Sequence, residues 1–327
     1  MGSRLLFVVA GLLLLLVGMF IYGADRMNRD LSEHQQTLDR KDSHWRYALR
    51  PLHEGLQRPG PGDWLARHQE PGQTYEQYLA SKPVRPQGDR YVIHVQPIGD
   101  FTPEEEKIVR QTSEFLGLFY NRPTRLAEPV TLDQMPEKAR RKHPETGWEQ
   151  LLTTYLIEEV LKPGLPADAA AFVGLTATDL WPGDGWGFVF GQAAPLDRVG
   201  VWSFHRNGDP RQSAAAYRLC LKRTLKTAVH ETGHVFSLEH CIFFKCTMGG
   251  SSGQEESDRR PLWACPECAA KICFAVGSHP LTRYQKLLAF CQKLGLEEEV
   301  AFYRKSIGVL GKQPWRGPVN VEKPVED

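Results

Sequence analysis

The sequence predicts an α/β chain. A twisted mixed sheet has one long helix packed behind it, a cysteine-stapled helical subdomain follows, and an N-terminal transmembrane helix precedes the whole. Three observations predict this. Strand and helix patterns alternate from Tyr91 to Phe204, ahead of a helix that ends in the run HETGH at 230–234. Four cysteines crowd the 28 residues from Cys241 to Cys268. Leu5 to Tyr22 is an unbroken apolar run of 18 residues.

That apolar run would span roughly 27 Å as a helix, enough to cross a bilayer with little tilt. A cleaved signal peptide has a shorter apolar core and small residues before the cut, whereas Tyr22 would sit at −3 to a cut after Ala24. A retained anchor over 1–24 fits better, giving a single-pass membrane protein. Arg4 on one side and Arg26 and Arg29 on the other leave its orientation nearly balanced. The short leader favours a main domain outside the cytoplasm, while the cysteines favour a reducing compartment.

Residues 25–90 read as a polar stalk and lead-in, with a Pro/Gly boundary at Arg58 to Asp63, a short helical stretch from Asp63 to Ala80 and a loop over Ser81 to Asp89. The compact domain is expected over 91–310. It opens with a strand in which Tyr91, Ile93 and Val95 alternate with Val92, His94 and Gln96. His94 is a ligand by residue type only; on the outer face of a strand its structural reading is the better one. Thr102-Pro-Glu-Glu105 is a capping box with Pro at the first helical position. Its helix carries Ile108, Thr112, Phe115, Leu116 and Phe119 as an apolar stripe. A second helix is expected through Trp148, Leu151, Leu152, Tyr155, Leu156 and Val160, stopped by Pro163-Gly164. Ala171 to Thr176, the GFVFGQA run and RVGVWSF supply further strands. The long helix should cover Ala214 to Phe236. Leu281 to Leu294 and Leu296 to Ile307 read as amphipathic helices, and 311–327 as a flexible tail.

The chemistry concentrates at the end of the long helix. His230 and His234 are four apart, so both imidazoles leave one helical face and can grip one metal ion. Glu231 neighbours the first ligand, where its carboxylate reaches a water on that metal without being a ligand itself. His240 comes six residues after His234, too far for the same face, and must return after the helix ends. Three histidines with one open position form the metzincin arrangement for zinc. Cys241, Cys246, Cys265 and Cys268 follow as C-x4-C…C-x2-C, the spacing of a closed four-thiolate zinc site. Two disulfides are the rival pairing, and a surface helix with incidental His and Glu is the rival for HETGH. Cys220, Cys273 and Cys291 read as small buried apolar residues. Trp181, Trp186 and Phe188 lie in a segment that either lines a cleft or fills the core. The net charge of +1 gives no reason to expect a nucleic-acid partner.

The whole pattern, HExxHxxSxxHC-x4-C-x-M-x16-C-x2-C, resembles the archaemetzincin family of zinc metallopeptidases. The likeness extends through Asp179 to Ala193, Arg198 to Arg206, Asp258 to Ile272 and upstream to Gly62 to Leu79, covering roughly Gly62 to Leu288. It implies a metzincin-like fold with a zinc-stapled C-terminal subdomain, and a peptide or protein substrate. It implies two zinc ions per chain, a catalytic one on His230, His234 and His240 and a structural one on the four cysteines. Glu231 would be the general base and Met248 the Met-turn methionine. The alternative is a weakly active or inactive zinc protein of the same fold that binds a peptide or partner. Ser237 stands where the family has glycine. A positive φ is expected there, with Ser237→Gly slightly stabilising and tightening zinc.

Overall fold

The computed structural model describes residues 45–312, and Arg46–Lys312 forms one compact unit. The helices are α1 (Trp45–Leu49), α2 (Trp64–Arg67), α3 (Tyr75–Ala80), α4 (Pro103–Tyr120), α5 (Thr153–Tyr155), α6 (Ala214–Val235), α7 (Gln254–Asp258), α8 (Pro266–Val276), α9 (Pro280–Leu294) and α10 (Glu297–Leu310). The strands are β1 (Val92–Ile98), β2 (Thr124–Leu126), β3 (Arg140–Lys142), β4 (Glu149–Leu152), β5 (Ala169–Thr176), β6 (Asp179–Trp181), β7 (Gly191–Ala194) and β8 (Val199–Ser203).

The main sheet has the order β2-β1-β5-β8-β7. Its first four strands are parallel, and β7 runs antiparallel to β8 at the edge. Every residue of β1, β5 and β8 is buried, as parallel strands covered on both faces must be. One face carries α4 and α6, which meet where the Tyr120 hydroxyl donates to the Val229 carbonyl. The other face packs Ile98, Phe172, Val199 and Val201 against Met135, Leu151, Leu156, Leu161 and Leu180. The outer face expected for β1 is therefore also interior. His94 is 7% exposed and held by Asp168 at 2.8 Å, a structural role.

The capping box at Thr102 forms as expected, with both reciprocal bonds made, and Ile108, Thr112, Phe115, Leu116 and Phe119 are buried along α4. The helix expected from Trp148 does not form as drawn. Glu149–Leu152 is a strand, paired with β3 and with β6, because Gln150 and Leu151 each find a partner across a small second sheet. Gln150 donates to Asp179 and to the Gly187 carbonyl, contacts a helix would forfeit. Helical backbone begins only at Thr153 and widens into a π-helical stretch over Leu156–Leu161.

The transmembrane part of the expected fold class requires correction, and with it the membrane partner and the single-pass localisation. Among the described residues no helix is long and apolar enough to cross a membrane, and the 5–22 run lies outside the described residues, as does 313–327. What the structure shows is a mixed α/β fold with a helical C-terminal region. The lead-in before Tyr91 packs against the rest of the unit. The Tyr78 hydroxyl donates to the Phe236 carbonyl at 2.7 Å, and α3 carries its own capping box at Thr74.

Candidate metal centres

Two clusters of metal-ligand side chains occur among the described residues, and both contain the residues the sequence singles out. His230, His234 and His240 bring ring nitrogens within 4.8 Å of one another. The first two sit one turn apart on α6. The third returns because the helix ends in a Schellman cap, with Leu238 N–H donating to Gly233 and Ser237 N–H to His234. Ser237 takes the left-handed position at φ 63°, as expected. Its hydroxyl, which sequence reasoning gave no partner, accepts from the Val84 N–H at 3.0 Å.

Each imidazole is oriented through its Nδ1. His230 donates to the Thr247 carbonyl at 2.9 Å, His234 to the Leu238 carbonyl at 2.6 Å, and His240 to the Glu70 carboxylate at 2.7 Å. This fixes the tautomer and leaves all three Nε2 lone pairs free for one ion. His230 and His234 approach at 3.0 Å through Nε2, against roughly 3.3 Å for two nitrogens on a tetrahedral zinc. Burial and mutual repulsion hold His230 far below its ordinary pKa and bring His234 down to about 4, so both rings are neutral at neutral pH. The donor set fits zinc: three ring nitrogens converge, each ring is held from behind by an acceptor on its Nδ1, and one side is open. Met248 is fully buried beneath it. A Cβ on Gly233 would lie 2.5 Å from the Met248 sulfur, so the glycine inside HETGH is what lets the methionine seat there.

Glu231 is 8% exposed, and burial pushes its carboxyl up to about 8. It points at the edge strand, where a Cβ on Gly191 would fall 2.7 Å from the carboxyl carbon. A cleft of about 540 Å³ opens over His230, Glu231, His234 and His240, and is walled by Trp186, Phe188 and β7. Trp186 and Phe188 thus line the cleft, whereas Trp181 is buried in the core. A second hollow of about 500 Å³ lies beyond His234 and His240, between Glu70 and Pro195.

The four cysteines form the second cluster, fully interior, with sulfurs also within 4.8 Å of one another. None is in a disulfide, and Cys241 and Cys265 stand 3.6 Å apart at sulfur. A disulfide needs about 2.05 Å, whereas two thiolates on tetrahedral zinc lie roughly 3.8 Å apart. Backbone N–H groups of Met248 and Cys265 point at the Cys246 sulfur, and that of Cys268 at Cys265. Hydrogen bonds from its three neighbours draw Cys241 well down, while burial pushes Cys265 up. Four sulfurs this close are all anionic only around a cation. Cys265 also caps α8, so this cluster joins the segment after His240 to the C-terminal helices.

Glu70 was missed by sequence reasoning. It stands 170 residues before His240, and no local pattern marks it. It also accepts from the Trp64 indole at 2.8 Å, and that ring packs edge-on to His240 at 5.6 Å.

The description of Peptidase family M54 matches residues 169–273. Archaemetzincin-2 of Macaca fascicularis is 34% identical over 301 residues, 81% of this chain and 80% of that protein. Archaemetzincin-2 of Homo sapiens is 35% identical over 260 residues, 70% of this chain and 71% of that one. Among solved structures, archaemetzincin from Methanopyrus kandleri matches at a TM-score of 0.47 and 26% identity, covering 59% of this chain and 98% of that one. On the strength of the sequence relatives, this chain belongs to the archaemetzincin family of zinc metallopeptidases.

Proposed function

We propose that the chain is a metzincin-type zinc peptidase that hydrolyses peptide bonds at His230, His234 and His240, with Glu231 as general base. The observation that carries this is the convergence of three imidazoles, each locked through Nδ1, beside a buried carboxylate on a cleft wall. Zinc in that place supplies a Lewis acid that acidifies water and polarises a peptide carbonyl. Glu231 takes the proton from the attacking water and hands it to the departing amine. Its raised pKa is a consequence of burial, and a cation among the histidines opposes that shift.

Edge strand β7 supports a peptide as substrate. It ends the sheet, lines the cleft, and its outer side has no partner strand among the described residues, so an extended peptide can lie along it. Cys241, Cys246, Cys265 and Cys268 hold a second, structural zinc, since four thiolates leave no position for substrate. The buried carboxylate of Glu231 favours an enzyme over a binding module, which has no use for a base there.

Glu231→Gln tests the role directly. It should keep zinc and fold while lowering kcat by roughly 10²-fold or more, measured on a peptide mixture by mass spectrometry. Cleavage at the parental rate would remove Glu231 from the mechanism.

A further inference from the structure

We propose that Lys226 and Arg260 make one wall of the 540 Å³ cleft a carboxylate-binding subsite, which selects peptides carrying a carboxylate within a residue or two of the bond cut. The proposal rests on the peptidase reading and goes on to name a substrate class. Three charged side chains line the cleft: Glu231, assigned above, and these two cations. Both cations are buried, Lys226 at 5% exposure and Arg260 at 7%. Burying a cation is unfavourable unless an anion or several acceptors meet it.

Neither cation is fully met. Lys226 donates to the Ser257 carbonyl at 2.7 Å, and an ammonium has two further donors. Arg260 reaches the Glu256 carboxylate through Nη2 at 2.7 Å, but its Nη1 is buried with no partner. The other oxygen of Glu256 accepts from the backbone N–H of Trp64 and of Ser252, so that carboxylate is already fully engaged. Asp258, which lies near Lys226 but does not line the cleft, is engaged by the Arg223 guanidinium.

The backbone has also made room for the guanidinium. A Cβ on Gly249 would lie 1.3 Å from Arg260 Nη1, so the arginine fills the place of a side chain at 249. Gly249 is two residues past Thr247, whose carbonyl orients His230, and so the arginine stands beside the metal site. Lys226 lies four residues before His230 on the same face of α6, about 6 Å along the axis. One or two extended peptide residues cover that distance. A carboxylate there accepts from the free Nη1–H and from the ammonium, two charge-assisted hydrogen bonds that a neutral amide makes less well. The carboxylate belongs either to an acidic side chain or to a free C-terminus.

Matched peptides test the subsite in the full-length chain carrying Glu231→Gln, so that binding is read without turnover. One pair differs by Glu against Gln beside the cleavage position, the other by a C-terminal acid against the amide. Fluorescence anisotropy should show at least one acid member binding about tenfold or more tighter than its neutral twin. The pair that shows the difference identifies the source of the carboxylate. Adding Lys226→Met should bring that ratio to within about twofold, and Arg260→Lys, which keeps the charge but loses the fork, should lower it part-way. Equal binding within both pairs, or a ratio that survives both substitutions, overturns the subsite. Should Lys226→Met fail to fold by circular dichroism, the parental ratio and Arg260→Lys still decide. The same peptides are offered to the chain with Glu231 intact. An acid preference without any hydrolysis upholds the subsite and overturns the peptidase reading, while hydrolysis with equal binding does the reverse.

Discussion

At Ser237 two opposing terms meet. A serine at positive φ is strained by roughly 1 kcal/mol relative to glycine, which by itself makes glycine the better residue. The hydroxyl, however, holds the Val84 N–H at 3.0 Å, a bond worth about 1 kcal/mol, and glycine adds unfolded-state entropy of roughly 0.5–1 kcal/mol. The sum reverses the sign expected from the sequence. Ser237→Gly should destabilise the chain by about 0.5–1 kcal/mol in a denaturant melt. A gain in stability would show that strain outweighs the contact. The turn itself was legible, because His240 had to come back to the metal and only a left-handed residue bends the chain that sharply. The hydroxyl's partner was not, since Val84 is 153 residues away.

Among the elements, the short segment from Trp64 to Ala80 matters more to the site than its length suggests. Through Glu70 it fixes the ring of His240, a carboxylate–histidine pair of the kind that raises a ligand's hold on its metal. Glu70→Ala should lower zinc affinity at the three-histidine site by roughly 10–100-fold in competitive chelation and leave the cysteine site unchanged. Equal loss at both sites would mean that the substitution acts on the fold. Helix α9 supplies a pH-dependent contribution. Its N-cap is His279, whose Nδ1 accepts the Leu281 N–H, and burial brings the ring down to about 4. The unfolded chain takes up that proton near 6.5. The stability linked to His279 is therefore complete above 6.5 and drains away as pH falls toward 4, by on the order of 2 kcal/mol. His279→Asp, which caps without needing a neutral ring, should flatten that part of the stability–pH curve. An unchanged slope would assign it to other groups. Elements with a strong local signal were legible: the Thr102 box set α4, and the amphipathic period from Leu281 to Leu294 set α9. Glu149–Leu152 was misread because its apolar residues fit a helical period equally well, and the pairing that makes it a strand comes from Asp179–Trp181.

For the molecule as a whole, the sheet exists to present one helix, and the chain after His240 is built to close under it. Met248 presses up through the gap at Gly233, and the cysteine cluster ties that same stretch to α8. The seven residues of the two candidate metal clusters could be read from spacing because each set is short-range in sequence. Of the cleft walls only the segment of Trp186 and Phe188 was a candidate in the sequence; Trp64 and Arg260 were not, because they meet it only once the sheet and the C-terminal helices are packed. On the function proposed above, the two clusters differ in character: the open one would work and the closed one would hold. The most direct test is zinc stoichiometry of the full-length chain during stepwise chelation, with peptide hydrolysis and circular dichroism followed in parallel. Two zinc ions per chain are expected. The first should leave together with activity while the fold persists, and the second only as the structure is lost. One zinc per fully occupied chain, or a fold that collapses with the first ion, would contradict the assignment of separate catalytic and structural sites.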